Sequence, residues 1–427
     1  MTYIAALRRF NLNVRLFLIS TAIIGLTNFG GIFATLFNLY LLRLGYTTQF
    51  IGTLNAVSSF AMFAACLPAS MLTRRFGSRK TMLVGLFLNA FSSMLLQGAV
   101  FIPAAIRTAY LLISYTLNSF GLTLYLISSQ PFLAEATTSV ERGHAYSVQS
   151  SLWPLSGFIG SLLGGAIPGF FANLTGIPLT GPGPYQLTLW ISSVLSAFAF
   201  LIMLPSQQPV PEPTPPAPAR ARPGTLALGV SHSRANDPTP IQTIAFLSAI
   251  VLFQITGEAT IRMFLNVYLD DALATPTSLI GLILGIGQFI AGLGALLTPL
   301  FVKRLGKSLT FVVFSLAISL CMLPLIFIPT WYGAGMGYMG AIIMVQIARP
   351  ALITIQMESV PNAYRALMSA ATTMTASLGM GAISMLGGRM IPSFGYPAVF
   401  LVGAWLTALA AIGFWLYNKL IRGGNPL

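Results

Sequence analysis

Apolar stretches of about 20 residues, the length that crosses a hydrocarbon core of roughly 30 Å, recur from one end of the chain to the other, separated by short turns rich in Gly, Pro, Lys and Arg. A backbone facing lipid must satisfy its own hydrogen bonds, so these stretches read as helices. They fall near residues 16 to 42, 49 to 72, 81 to 102, 108 to 133, 145 to 171 and 186 to 204. Six more follow near 243 to 269, 278 to 301, 309 to 329, 334 to 357, 366 to 391 and 396 to 418. The pattern breaks once, at "PSQQPVPEPTPPAPARARPG", which stays polar to about Pro240 and is too poor in apolar residues to build a core. The chain therefore divides into a six-helix half over residues 1–204, an extended linker over 205–240 and a second six-helix half over 241–427.

The halves repeat one another. "FNLYL" (Phe37 to Leu41) closes the first helix and "LNVYL" (Leu265 to Leu269) the seventh; the basic turn "RRFGSRK" after helix two returns as "KRLGKS" after helix eight, with Gly77 matching Gly306. Glu135 precedes Arg142 by seven residues after helix four, as Glu358 precedes Arg365 after helix ten, and "LLGGAIP" is echoed by "MLGGRMIP". The matches keep one order at offsets of 223 to 229 residues. An even number of spans returns the chain to its starting side, so the fold expected is an all-α integral membrane protein of twelve transmembrane helices in two parallel-repeat six-helix bundles.

Charge orients this plan. Of 427 residues 56% are hydrophobic and only 7% charged, against about 25% in soluble domains, and the mean hydropathy is +0.81. The net charge of +14 is not a nucleic-acid footprint, because the Lys and Arg residues lie singly or in short clusters between apolar runs. Of the 22, Arg43, Arg107 and Arg389 fall on one side, Arg262 and Arg349 fall inside the membrane, and the other 17 share the side of the termini and linker. The positive-inside rule makes that side cytoplasmic, and a bacterial inner membrane is the expected location. The N-terminus resembles a signal-peptide n-region, but the apolar run behind it is too long and lacks a cleavage site, so it reads as a retained first helix. Cys66 and Cys321 both fall within spans, which argues against a disulfide framework or a Cys-based metal site. No cofactor motif or metal-ligand cluster stands out, and no P-loop of an ATP-driven pump. The His clusters and paired carboxylates of membrane enzymes are missing too, so no catalytic residue is assigned.

Two six-helix repeats, a linker on the side of the termini and the basic Gly-containing turns together resemble the major facilitator superfamily over about residues 16 to 420. "SMLTRRFGSRK" keeps Arg75, Gly77, Arg79 and Lys80 of the family turn, with Ser70 in place of its Gly and Arg74 in place of its Asp. "GSLLGG" (Gly160 to Gly165) lacks the Pro of the antiporter pattern in helix five; it reads either as a remnant of that pattern or as small residues that let two helices approach. The resemblance implies alternating access around a central site lined by helices one, four, seven and ten.

Those four helices carry polar stripes. Asn28 in helix one, Asn118 and Tyr125 in helix four, Gln254, Glu258, Arg262 and Asn266 at i,i+4 steps in helix seven, and Gln346 and Arg349 in helix ten are the candidate cavity residues. Insertion scales put a charge at mid-helix at about 2.5 to 3.5 kcal/mol, so three such residues point to use. Glu258, the only carboxylate in the predicted membrane interior, is the candidate proton carrier. At 1.5 Å per residue it lies about 3 Å to one side of the midplane and Arg349 about 5 Å to the other, within reach of an Arg side chain. The alternative is architectural, with Glu258 and Arg262 neutralising each other one turn apart. Arg74, Arg75, Arg79, Glu135, Arg142, Lys303, Arg304, Glu358 and Arg365 are the candidate cytoplasmic gate.

The function expected is secondary active transport of a small organic or amphipathic molecule by a monomer in the bilayer, coupled to protons, in the direction of export. Uptake of an organic anion or sugar, or a non-transporting sensor on the same fold, are the alternatives.

Overall fold

The computed structural model describes residues 10–28, 30–208, 239–361 and 364–421; the body of the expected Pro-rich linker lies outside the described residues. The helices are α1 Leu12–Arg43, α2 Thr48–Phe76, α3 Ser78–Phe101, α4 Ala104–Ala136, α5 Ser139–Thr175 and α6 Gly183–Met203. Then come α7 Pro240–Ala272, α8 Thr277–Leu305, α9 Lys307–Phe327 and α10 Trp331–Glu358. The stretch Arg365–Ile421 holds α11 and α12, divided where Gly395 leaves helical geometry at φ 75°, ψ 172°. Among the described residues twelve helices thus form two six-helix bundles, as the apolar pattern predicts.

Polar residues ahead of each apolar run set the starts. Asn11 caps α1 by accepting from the Val14 amide at 2.9 Å, Thr47 caps α2 and Thr330 caps α10. Thr239 and Gln242 form a reciprocal capping box ahead of α7, with Pro240 at the first helical position. Gly77 and Gly306, the matched glycines of the basic turns, sit at φ 89° and 76°, where a side chain would be strained.

The first span is not continuous, as the sequence pattern expected, but runs as Leu12–Thr27 and Ile32–Arg43. The break follows from Gly30, at φ 72°, whose freed carbonyl accepts from the Ser161 hydroxyl of α5.

The start of α1 lies beside the end of α6, where Asn13 Oδ1 accepts from the Gln207 amide at 2.8 Å, and Phe246 near the start of α7 stacks on Tyr417 near the end of α12 at 3.9 Å. Both bundles therefore begin and end at one face, the termini face.

At the opposite, far face the bundles touch. Gly52 of α2 meets Gly388 of α11, and Gly165 of α5 meets Gly281 of α8, so closely that a Cβ on any of them would lie within 3 Å of the partner's backbone. Gly52 corresponds to Gly281 and Gly165 to Gly388 in the internal repeat, so the two contacts are one contact repeated about a pseudo-two-fold axis. The repeated asparagines obey the same axis: Asn38 Nδ2 reaches the Met263 carbonyl at 3.2 Å, and Asn266 Nδ2 the Thr35 carbonyl at 3.2 Å.

Candidate functional site

A cavity of about 450 Å³ lies in the second bundle between α7, α10 and α11. Its lining comes from the middle of α7, Val251 to Arg262, and from the parts of α10 and α11 nearer the termini face, Arg349 to Gln356 and Thr372 to Met380. It thus lies on the side opposite the glycine contacts.

Glu258 occupies its inner wall. Its carboxylate accepts from Arg262 Nε at 2.5 Å, and from Arg349 Nη2 at 2.9 Å on Oε2 and 3.2 Å on Oε1. The Arg262 bond is the i,i+4 contact that helical geometry provides; the Arg349 bond joins α10 to α7. The Glu258 side chain is 6% exposed, against 33% for Arg262 and 44% for Arg349, so the carboxylate is sealed while both guanidiniums keep a face to the cavity. One carboxylate against two cations leaves the cluster at a formal charge of +1.

Local chemistry places Arg349. Pro350, the next residue, has no N–H to bond the Gln346 carbonyl one turn earlier, and Thr298 of α8 donates to that carbonyl at 3.3 Å instead. Gln346 thus belongs to the α8–α10 contact and is not among the residues lining the cavity.

Of the residues expected at the centre, the structure brings together Gln254, Glu258, Arg262 and Arg349. The others serve packing in this conformation. Asn118 donates to the Asn89 carbonyl and to Ser92 and Ser93 of α3, and Tyr125 is buried against Thr21 at 3.0 Å. Asn28 donates to Thr27 and Asn89 at the break in α1, and Asn266 lies in the far-face contact. Thr372 and Thr373 of α11 line the cavity without having been expected. Their signal was a polar pair in an apolar span, in a helix not counted among the lining.

The expected gate residues lie at the termini face and bond within their own bundles. Glu135 accepts from Ser78 at 2.5 Å and Glu358 from Lys307 at 2.5 Å, and these are equivalent positions in the repeat. Arg142 bonds the Ala134 carbonyl and Arg365 the Met357 carbonyl, each eight residues back, closing the end of the preceding helix. Arg79 bonds the Leu204 carbonyl, while Arg74, Arg75, Lys303 and Arg304 are exposed at the last turns of α2 and α8. The Glu–Arg spacing is thus shared by two separate contacts, with no Glu135–Arg142 or Glu358–Arg365 ion pair among the described residues.

The far face holds an ion pair the sequence reading missed. Arg43 Nη2 at the end of α1 bonds Asp270 Oδ1 at the end of α7 at 2.6 Å. Asp271 accepts from Tyr396 at 2.7 Å. Both acids stand in a single π-helical turn, Tyr268–Ala272, that ends α7.

Residues 17–384 match the family model of the Major Facilitator Superfamily. The chain belongs to that superfamily. Members are transporters rather than enzymes, which fits a bundle pair with a charged cavity. Solved structures agree in fold across nearly the whole chain. A D-xylose-proton symporter is 14% identical with a TM-score of 0.71, covering 97% of this chain and 98% of its own. A mutant of the nucleoside transporter NupG is 16% identical with a TM-score of 0.68, covering 95% and 99%. A bacterial homologue of the human lysosomal transporter Spinster, in an inward-facing and occupied conformation, is 14% identical with a TM-score of 0.68, covering 96% and 97%. The curated proteins give no match.

Proposed function

We propose that this superfamily member is a proton-coupled secondary transporter of a small amphipathic molecule, with Glu258 as the proton-carrying group and the cavity beside it as the substrate site. The two halves, joined by residues 205–240, rock about that site, and the termini face is the cytoplasmic side of a bacterial inner membrane. The observation that carries this reading is the sealed carboxylate held by two cavity-facing Arg residues, Arg262 and Arg349, while the far face is shut by Arg43–Asp270 and the glycine contacts. A carboxylate whose partners change between states takes up and releases a proton with the conformational cycle.

The glycines of "GSLLGG" are used in packing: Gly160 abuts α1 at Leu26 and Gly31, and Gly165 abuts α8. That packing accounts for the glycines without any reference to direction, and the positive cavity favours an anion as substrate.

The test is Glu258→Gln in proteoliposomes. Exchange of substrate across the membrane survives while accumulation driven by a proton gradient is lost; unchanged accumulation would remove Glu258 from the coupling role.

A further inference from the structure

We infer that the substrate is an organic monoanion with an apolar body, and that it couples to the proton by competing with Glu258 for Arg349. The inference rests on the transporter reading above and adds the substrate class and the residue that links the two ligands.

Arg349 is the partner free to change. It comes from a different helix than Glu258 and is the more exposed of the two guanidiniums, whereas Arg262 is fixed to Glu258 by helical spacing. Among the described residues only its Nη2 is hydrogen-bonded, so Nε and Nη1 have unused donors in a cavity. A guanidinium offers a carboxylate two edges of paired N–H groups, Nε with Nη2 and Nη1 with Nη2. Each edge uses a different N–H of Nη2, so a bidentate anion either takes the edge that Glu258 leaves free and shares the cation with it, or takes the edge that Glu258 uses and displaces it. In both cases Glu258 loses part of the charge that Arg349 offers it, keeps Arg262 and gains a negative charge nearby. Among the described residues the other titratable side chain facing this cluster is Tyr338 of α10; the α11 wall contributes Thr372, Thr373, Ala376 and Met380.

Anion and proton then favour each other's binding, and linkage makes the effect reciprocal. Anion binding draws a proton onto Glu258, and a proton on Glu258 releases Arg349 to the anion. The charge balance closes as well: the empty cluster carries +1, and the cluster with one monoanion and one proton again carries +1. A cycle that carries both moves no net charge. The rest of the cavity suits an amphipathic body, with Val251, Ile255, Leu352 and Met380 offering apolar surface and Gln254 and Gln356 polar ends. Its volume is that of a small-molecule pocket.

The test uses a panel in which several apolar bodies (phenylpropyl, naphthylmethyl, octyl) each carry a carboxylate, a carboxamide or a trimethylammonium head. Binding is read as thermal stabilisation of the purified full-length protein. Carboxylates are expected to stabilise it and the matched amides and ammoniums not. Arg349→Gln should weaken carboxylate binding by about tenfold or more, and Arg349→Lys, which keeps the charge without the fork, by less. Equal or better stabilisation by the neutral or cationic members, or none by any carboxylate, overturns the inference. For the strongest binder, uptake into proteoliposomes should follow a pH gradient and ignore a potassium-diffusion potential, and in Glu258→Gln it should become sensitive to that potential. Potential-dependent uptake by the wild type overturns the exchange at Arg349. If Glu258→Gln still accumulates substrate against its gradient, the coupling role of Glu258 fails, while the head-group preference is decided by the binding panel alone.

Discussion

Arg43 and Asp270, 227 residues apart in the chain, meet at 2.6 Å and tie the far end of the first helix to the far end of the seventh. Arg43 also bonds the Leu179 carbonyl and lies over the Tyr185 ring, so one side chain gathers α1, the loop before α6 and α7. Its repeat equivalent is an acid, Asp271, and this latch is therefore not part of the two-fold plan.

Arg43→Gln should loosen the far face. Asp270 is 6% exposed and Arg43 24%, so removing the cation leaves a largely buried carboxylate in the closed face, and the expected shift toward the open conformation is about tenfold or more. With Cys66 and Cys321 replaced by Ser, a cysteine introduced at Asn38 should react faster with an impermeant thiol reagent added on the far side. The exchange Arg43→Asp with Asp270→Arg should restore the slow rate. An unchanged rate in the single variant would show that the glycine contacts alone hold the face shut.

The glycine contacts give a stronger perturbation. A Cβ at residue 281 would lie 2.5 Å from Gly165 Cα and from the Ser161 carbonyl, closer than real carbon atoms approach. Gly281→Ala should disfavour the far-closed conformation and slow transport, with far-side labelling increased at the same introduced cysteine. Wild-type turnover with wild-type labelling would mean that α5 and α8 separate here at no cost.

Stability of the charged cluster should be graded by how many cations remain. Arg262→Gln leaves Glu258 bonded to Arg349, and Arg349→Gln leaves it bonded to Arg262, so each single variant should fold with a modest loss in melting temperature. Arg262→Gln with Arg349→Gln leaves the sealed carboxylate unpaired, which costs about 3 to 5 kcal/mol. Adding Glu258→Gln to that pair should recover most of the loss. Equal melting temperatures across the series would show that water reaches Glu258 and that its burial is not maintained in the membrane.

Orientation is open to a direct check. Reporter fusions after Ser206 and after the last helix should read cytoplasmic, and fusions near Thr180 and Ala274 should read external. Opposite signals at any two positions would reverse the assignment of the termini face.

The sequence by itself determined the number of spans, their approximate places and their duplication, but not the break in the first span. Apolar length, capping residues and basic turns are local signals, and the repeated "FNLYL" and "LNVYL" or "LLGG" and "MLGG" are visible in one dimension. It also singled out Glu258, Arg262 and Arg349, because a charge within an apolar span is costly wherever the helix points. Helical spacing places residues on a common face but does not say which neighbour that face meets. Asn118 turned to α3, Asn266 to α1 and Gln346 to the α8 side of α10, while Thr372 and Thr373 turned to the cavity. That choice depends on the rotation of each helix in its bundle, set by contacts between residues far apart in the chain. Arg43 and Asp270 are ordinary in their own segments, and only the packing of one bundle on the other makes them partners; Glu258 and Arg349 stand out in theirs, but the sequence supplies only their depths, and the packing of α10 on α7 makes the bond.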